Sequence, residues 1–510
     1  LDAGSEDDIG AVQLGDPITK EPLMHLCLEL NELGLLTGMK DLGGGGLSCV
    51  VGELALDAGF GAKVDLEKVH LKLKNMAPWE IWVSESQERM MFTVKPEDVQ
   101  TVLDRCNAWD VEAVAIGEVI KEKRNIVRFH NTEILNLDLE FTTGGPVYNR
   151  PYTLPEINNL EAVELPEPPL NLSETIEEII SNPEVASKDW VIRQYDHEVR
   201  GATAIKPIQG KIGKEVPGDS SVLKPVENSW KGLALTTDIN PHLMEANPYH
   251  GTMSAVEEIC RNLASVGARI DSLADCLCFG NPQRPEIMGQ FKSSCDALRD
   301  AASSVDVPYV SGNVSLYNET AEGAIPPTPV LMGIGLVDDI RKCVTSDLKN
   351  EGDIWLVGDN KQQLGASLYY RTLGINCPNV PTTDFDSFIP RMEQLIDAIE
   401  CGEVVACHDI STGGMALAII EMCMSGVGAK INLSGDMRTD LELFNESNGR
   451  WIVQVKPGLE SKFSKRFDFA KKLGSVDKNV NFVLNEKESI VFSIEKLRKI
   501  WTEPLWNKMA

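Results

Sequence analysis

The sequence predicts an α/β (α+β) protein made of two related units in tandem, the first shorter than the second. Three observations carry this. Glycine-punctuated helical patterns alternate with short apolar, strand-like runs along the chain. A set of polar and glycine motifs occurs twice in one order. At 510 residues the chain exceeds what one hydrophobic core organises, which sets a prior of about three to four domains.

In chain order, Leu23, Leu26, Cys27, Leu30 and Leu33 recur at helical spacing after Thr19, and Gly34 is placed to end that helix. After Asp41 comes Gly43-Gly44-Gly45-Gly46, then a second helical face of Leu47, Val50, Val51, Leu54 and Ala58, closed by Gly59. Ile81 to Ser84 and Met90 to Val94 read as strands, Val99 to Cys106 as a helix, and Val111 to Val119 as a strand. From 144 to 190 the chain turns to prolines and acids, and this stretch is expected to be a linker strapped over the surface.

A new α/β segment follows. Met253, Val256, Ile259, Cys260, Leu263 and Val266 mark a helix up to Gly267, a strand passes through Leu273, and Ile287, Phe291 and Leu298 mark another helix. Strand Val307 to Val310 leads into an expected loop, Ser311-Gly312-Asn313-Val314-Ser315, and Thr328 to Val337 reads as a buried strand. From about Gly352 the texture is again α/β. The resulting division is 1–143, a linker 144–190, then 191–345 and 346–510.

The repeat is the most informative feature. Asp41 with its glycine run and Glu53 finds a counterpart in Asp409-Ile410-Ser411-Thr412-Gly413-Gly414 with Glu421, and the Asp-to-Glu separation is 12 residues in both. Gly61-Ala62-Lys63 echoes Gly428-Ala429-Lys430, and Glu85-Ser86-Gln87-Glu88-Arg89 echoes Glu446-Ser447-Asn448-Gly449-Arg450. The first unit has nothing matching 190–345 of the second.

A net charge of −29 excludes polyanionic partners such as nucleic acid and anionic lipid surfaces. A small anionic substrate stays open, because oriented N–H groups and a metal ion outweigh a distant field. Twelve cysteines without a C-x-x-C pair imply reduced thiols in the cytosol. No apolar run reaches the roughly 20 residues that span a bilayer. The chain opens on Leu1 and acidic residues, which leads to the expectation of a processed, truncated or split polypeptide.

An aspartate before a glycine run that opens a helix suits a phosphate and Mg²⁺ site, since glycine lets the backbone approach a ligand and helix N–H groups face it. Asp41 and Asp409 as plain helix caps are the competing reading. Asn313 and Ser315 offer oxygen and amide groups at a strand end, where α/β sheets place ligands; an Asn/Ser turn explains them as well. Asp275 also sits near a strand end. Glu85, Gln87 and Arg89 alternate with Ser86 and Glu88 as on a strand, either as a site or as a solvated face.

Together with Val12-Gln13-Leu14-Gly15-Asp16-Pro17, Gln194-Tyr195-Asp196-His197 and Phe279-Gly280-Asn281-Pro282, these motifs resemble phosphoribosylformylglycinamidine synthase of the small, separate-subunit type, from about residue 11 onward. The resemblance implies tandem aminoimidazole-ribonucleotide-synthetase-like modules, the first incomplete. It implies ATP-dependent conversion of formylglycinamide ribonucleotide to the amidine through an iminophosphate. By position, Asp41 and Asn313 would bind Mg²⁺, one from each module, and Asp275 and Gly312 would contact ATP. Gln13, Glu85, Ser86, Gln87 and Ser315 would contact the ribonucleotide. Asp409 and Glu446 would belong to a related pseudo-site, in which Asn448 stands where the first copy has Gln87.

No G-x-C-x-G nucleophile elbow is present, so ammonia would come from a glutaminase subunit, assisted by a small bridging subunit. The family's opening region, with its catalytic histidine, has no counterpart in residues 1–510; the chain alone is expected to be inactive until a companion polypeptide or segment completes it. Other single-module enzymes of the superfamily, and a non-catalytic nucleotide-binding scaffold, are the rival readings.

Overall fold

The computed structural model describes residues 17–509 except 72, 74, 146, 162, 195, 196, 322, 434–436 and 485–487. Gln13, and Tyr195 and Asp196 of the 194–197 motif, lie outside the described residues. The chain divides into two compact units, Leu1–Asn149 and Arg150–Ala510.

In the first unit the elements are α1 (Pro17–Glu32), β1 (Leu36–Asp41), α2 (Leu47–Asp57), β2 (Gly61–Asp65), α3 (Pro78–Val83), β3 (Met90–Val94), α4 (Val99–Ala108), β4 (Gly117–Ile120), β5 (Arg124–Phe129), β6 (Thr132–Asp138) and α5 (Leu139–Gly144). The apolar stripe of α1 buries Leu23, Leu26 and Leu30 against Val102 and Cys106 of α4. Gly34, at φ +66°, turns the chain out of α1. Strands β1 and β3 pair antiparallel, with Asp41 opposite Met90. A second sheet has the order β4-β2-β5-β6, and α2 lays Leu47, Val50, Val51 and Ala55 into its core.

Three expectations fail here. Residues 81–84 are not a strand but lie in and just after α3, which starts on Pro78, with Glu80 reaching back to accept from the Ala77 amide. Three apolar residues cannot distinguish strand from helix, and the proline and the acid were the deciding signals. The strand expected from Val111 begins only at Gly117, because the Val111 amide closes α4 on the Cys106 carbonyl, 2.9 Å away, after Asp110 at φ +56°. Residues 85–89 form no strand either. Glu88 sits at φ +57° and the segment is a turn, so the expected face alternation of Glu85, Gln87 and Arg89 does not exist.

The second unit opens on the expected linker, which carries a helix of its own, α6 (Leu172–Ser181). Asn171 caps it by accepting from the Ser173 and Glu174 amides. Ile176, Ile179 and Ile180 form its buried stripe, a helical spacing hidden among prolines and acids. Next come α7 (Asp189–Ile192), β7 (Thr203–Ile205), β8 (Ile208–Lys211), β9 (Lys214–Pro217), β10 (Ser221–Leu223), β11 (Gly232–Asp238), α8 (Pro241–Ala246), α9 (Pro248–Ser265), β12 (Arg269–Cys278), α10 (Pro285–Val305), β13 (Tyr309–Ser315), β14 (Glu319–Thr320), β15 (Gly323–Ala324) and β16 (Thr328–Val337). They build a six-stranded sheet, β13-β12-β16-β11-β10-β7. Helix α9, with Val256, Ile259, Cys260 and Leu263 fully buried, lies in the core beneath that sheet.

The remainder is β17 (Asp353–Val357), α11 (Leu368–Thr372), α12 (Phe385–Glu400), β18 (Val404–Asp409), α13 (Gly414–Cys423), β19 (Gly428–Asn432), α14 (Thr439–Phe444), β20 (Trp451–Val455), α15 (Glu460–Arg466), β21 (Lys471–Asp477), β22 (Val480–Leu484), β23 (Glu488–Phe492) and α16 (Ile494–Met509). A seven-stranded sheet runs β18-β20-β17-β21-β19-β22-β23. Helix α16 packs on α6; the Trp501 ring N–H donates to the Val185 carbonyl at 3.0 Å, and the Trp501 carbonyl accepts from the Ser187 amide at 3.0 Å. All twelve cysteines are free thiols, and no described helix is long and apolar enough to cross a membrane.

Candidate functional site

In the first unit the glycine turn joins the end of β1 to the start of α2. Gly46 has φ +54°, and a Cβ there would fall 2.0 Å from the Ser84 carbonyl oxygen, so only glycine fits. No side chain caps α2 at this end. The Gly45 amide donates to Glu85 Oε1 at 2.8 Å, which ties the turn to the 85–89 segment. Arg89 folds back over that segment, donating from Nε to the Ser86 carbonyl at 2.7 Å and from Nη2 to the Ser84 carbonyl at 2.5 Å. Ser86 Oγ lies 3.1 Å from Ser84 Oγ, and Gln87 Nε2 donates to the Glu85 carbonyl at 3.2 Å. Asp41 is exposed at the end of β1. Lys40 pairs with Glu53, whose carboxylate holds the ammonium above its usual range. The turn thus brings Asp41, Glu85, Ser86 and Gln87 around an open helix N-terminus, a setting in which backbone N–H groups and the helix dipole favour an anion.

In the second unit, residues 311–315 are not the expected loop. They form the body of β13, at the edge of the sheet and parallel to β12, with Asp275 opposite Gly312 and Cys276 opposite Asn313. Turn-type residues were overridden by ladder pairing on one side only, which an edge strand allows. Asp275 likewise sits within β12, not at its end. A Cβ on Gly312 would stand 2.9 Å from Asp275 Oδ1. Burial pushes the Asp275 carboxyl up, partly offset by the Asn313 backbone N–H. Ser315 is held by Asn318, whose amide donates to the Ser315 carbonyl at 3.0 Å and to the Phe279 carbonyl at 3.0 Å.

The second copy of the repeat reproduces the glycine–glutamate and arginine–carbonyl bonds of the first turn. The Gly413 amide donates to Glu446 Oε1 at 2.8 Å, and Arg450 donates to the Ser447 and Asn445 carbonyls at 2.8 and 2.7 Å. Its surroundings are closed, however. Glu446 also accepts from the Leu368 amide at 2.9 Å, and burial pushes its carboxyl up to about 7. Asn448 donates to Ser254 Oγ and Thr383 Oγ1, both at 2.8 Å.

Beneath this turn lies a buried ionic cluster the sequence did not reveal. Arg261 Nε donates to Asp409 Oδ2 at 3.0 Å, and the same guanidinium pairs with Glu257 and Glu258. His408 bridges Asp219 at 2.6 Å and Glu421 at 3.0 Å. Burial opposes charge on that imidazole, but the two carboxylates outweigh it and hold its pKa well up. Asp219, His408 and Asp409 present ligand atoms within 4.8 Å of one another, yet both ring nitrogens of His408 are already engaged. The available signal was Glu257, Glu258 and Arg261 interrupting the apolar face of α9.

Comparison with known proteins gives this geometry a class. The family "AIR synthase related protein, C-terminal domain" matches residues 1–130 and again 368–485, one match on each copy of the repeat, and its N-terminal domain matches 217–337. The fold and the duplicated turn are therefore those of AIR synthase-related proteins. Phosphoribosylformylglycinamidine synthase subunit PurL of Thermococcus sibiricus is 38% identical over 511 residues, covering 99% of this chain and 69% of the relative. The subunit of the same name from Thermoplasma acidophilum is 38% identical over 457 residues, covering 89% of this chain and 60% of the relative. The chain belongs to the phosphoribosylformylglycinamidine synthase subunit PurL family. It spans about three fifths of the Thermoplasma relative's length. Solved structures of Thermotoga maritima PurL share the fold: the complex with AMPPCP at TM-score 0.66 and 23% identity over 91% of this chain and 68% of that one, and the complex with FGAR at TM-score 0.63 and 23% identity over 91% and 66%.

Proposed function

We propose that this chain takes part in the ATP-dependent conversion of formylglycinamide ribonucleotide to formylglycinamidine ribonucleotide in purine biosynthesis, as a cytosolic synthetase subunit. Ammonia would be delivered by a glutaminase subunit docked through a small bridging subunit, and a companion polypeptide or segment would supply the catalytic histidine. The observation that carries this reading is the open glycine turn at α2, uncapped and flanked by exposed Asp41 and by Glu85, in a member of this family.

An amide carbon is a poor electrophile. Phosphorylating its oxygen from ATP makes an iminophosphate, which ammonia attacks at carbon with loss of phosphate. Little covalent work falls to the protein, which must align two anions and offset their charge. In this assignment the turn amides of Gly43 and Gly44 and the α2 N-terminus receive phosphate oxygens. Glu85, Ser86, Gln87, Ser315 and Gln13 orient the ribonucleotide, while Asp275 and Gly312 contact ATP. Gly312 suits that place because it leaves the backbone of β13 bare beside the Asp275 carboxylate. Asp41 and Asn313 supply a carboxylate and a carboxamide oxygen, the hard donors Mg²⁺ prefers. Magnesium, when bound, neutralises phosphate charge.

The test is phosphate release from ATP by the 510-residue protein with its partner subunits, ammonium and formylglycinamide ribonucleotide. Substrate-dependent release that drops at least about a hundredfold in Asp41→Asn supports the enzyme. ATP binding without substrate-dependent release, unchanged in Asp41→Asn, would leave a nucleotide-binding scaffold in its place.

A further inference from the structure

One thiol pair in the second unit takes no part in the proposed reaction. Cys276-Leu277-Cys278 ends β12, and positions two apart on a strand place both thiols on one face of the sheet. Their sulfurs stand 3.8 Å apart. Leu273 and Leu277, on the other face, lie in the core under the sheet, whereas neither thiol belongs to that core and both are half-buried. Strand β13 runs parallel alongside, with Asn313 opposite Cys276 and Ser315 opposite Cys278, so these two polar residues share the thiols' face. Ser315 Oγ is engaged by Asn318, whose amide donates to it at 3.1 Å. The Asn313 carboxamide thus stands beside the pair, one strand spacing of about 4.8 Å away.

The separation discriminates between the things two thiols do. Ligands about 2.3 Å from a tetrahedral ion stand about 3.8 Å from each other, so both sulfurs reach one zinc-like ion without any shift of the strand. A disulfide fits worse. It needs the sulfurs to close to about 2.05 Å, and same-face Cα atoms of a strand stand about 6.6 Å apart, at the far end of the span a disulfide bridges. Burial and the neighbouring Cys276 push the Cys278 thiol up, which further slows oxidation of the free pair. A soft ion overcomes that shift, because it displaces the thiol proton outright. Magnesium does not compete for sulfur, since hard cations take oxygen.

We propose that Cys276 and Cys278 form a bidentate thiolate site for a thiophilic divalent cation of the Zn²⁺ class, with the Asn313 carboxamide oxygen as third ligand and water as fourth. Two protons leave as the ion binds, one from each sulfur. Among the described residues no third Cys, His, Asp or Glu joins the pair, so the ion is held exchangeably and not as in the closed four-ligand centres that hold a fold together. Occupation draws Asn313 away from the magnesium assigned to it. That consequence rests on the proposed function, whereas the binding itself rests on the strand geometry alone.

The test uses the reduced, metal-free 510-residue protein, with zinc chloride and cadmium chloride as probes. In the unaltered protein zinc should slow maleimide labelling of Cys276 and Cys278 together, saturably and at least about tenfold, read by mass spectrometry of the labelled peptides. Exposed Cys49 and Cys401 should label as before, and excess magnesium should not restore labelling of the pair. Cadmium should give one equivalent of a thiolate charge-transfer band, its affinity lowered at least about tenfold in Cys276→Ser, in Cys278→Ser and in Asn313→Ala. Protection of neither thiol, or of only one, overturns the proposal, as does protection that magnesium abolishes or a band that survives both serine variants. Cadmium affinity unchanged in Asn313→Ala overturns the three-ligand site. None of these readouts requires turnover, so failure of the proposed activity leaves them standing.

Discussion

The glycine turns at Asp41 and at Asp409 share their backbone bonding and differ in what surrounds it. In both, a glycine amide donates to a glutamate at 2.8 Å and an arginine folds back on two carbonyls. The bond after the aspartate is the same too: Leu42 donates to the Arg89 carbonyl and Ile410 to the Arg450 carbonyl, each at 3.1 Å. Around the first turn the acids reach solvent, and Lys40 and Glu53 form a pair with 38% and 39% of their side chains exposed. Around the second, His408 replaces the lysine and is sealed between Asp219 and Glu421, while Arg261 occupies the space before Asp409. One backbone motif thus serves as an open cradle where charge is left unanswered and as a structural joint where the protein supplies the countercharge.

The largest test of that contrast is Arg261→Met. Removing a fully buried guanidinium leaves Glu257 and Glu258 without a cation and Asp409 with His408 alone, 3.8 Å away, and should cost about 3–5 kcal/mol in urea unfolding of the second unit. Lys40→Met in the first unit breaks a half-exposed pair and should change stability by less than about 1 kcal/mol. Equal losses would mean the two turns are not differently supported.

Next in size are the glycines. Gly46→Ala and Gly414→Ala each force a side chain to φ +54° or +68° and against a carbonyl, and each should cost about 1–3 kcal/mol in thermal or urea unfolding. Only Gly46→Ala should also weaken substrate binding.

The pH dependence of stability sharpens the comparison further. Burial raises Glu446 to about 7 and Asp238 to about 7, so the folded state keeps protons that the unfolded chain has released. The native state then binds more protons between the ordinary carboxylate range and about pH 7, and stability falls as pH rises through that window. Glu446→Gln keeps an oxygen for the Gly413 and Leu368 amides and should flatten this fall, read as Tm against pH. The smallest effect is Ser447→Ala, which loses a 2.6 Å bond to Asn445 Oδ1 and should cost about 1 kcal/mol, whereas Ser86→Ala should alter KM for the ribonucleotide and not stability.

Much of this was legible in the chain. The repeat could be read because a carboxylate spacing and three short motifs survive in order, and helices α1, α2, α9 and α10 could be read from apolar stripes closed by glycine or flanked by proline. Strand β16 showed itself by an unbroken apolar run. What was hidden depended on partners far along the chain. Residues 311–315 look like a turn until β12 is placed beside them, and α6 looks like linker until its three isoleucines meet the core. Asp219 and Arg261 carry no local mark, since their roles arise only when β18 brings His408 and Asp409 between them.

Helix α6, near the start of the second unit, is held by Trp501, near its end. Ribosomal synthesis delivers these two partners more than three hundred residues apart. The isoleucine stripe of α6 lacks part of its packing until α16 emerges, so this unit completes its fold only once residues 494–509 have been synthesised. A nascent chain stalled before residue 494 should remain a substrate for holding chaperones.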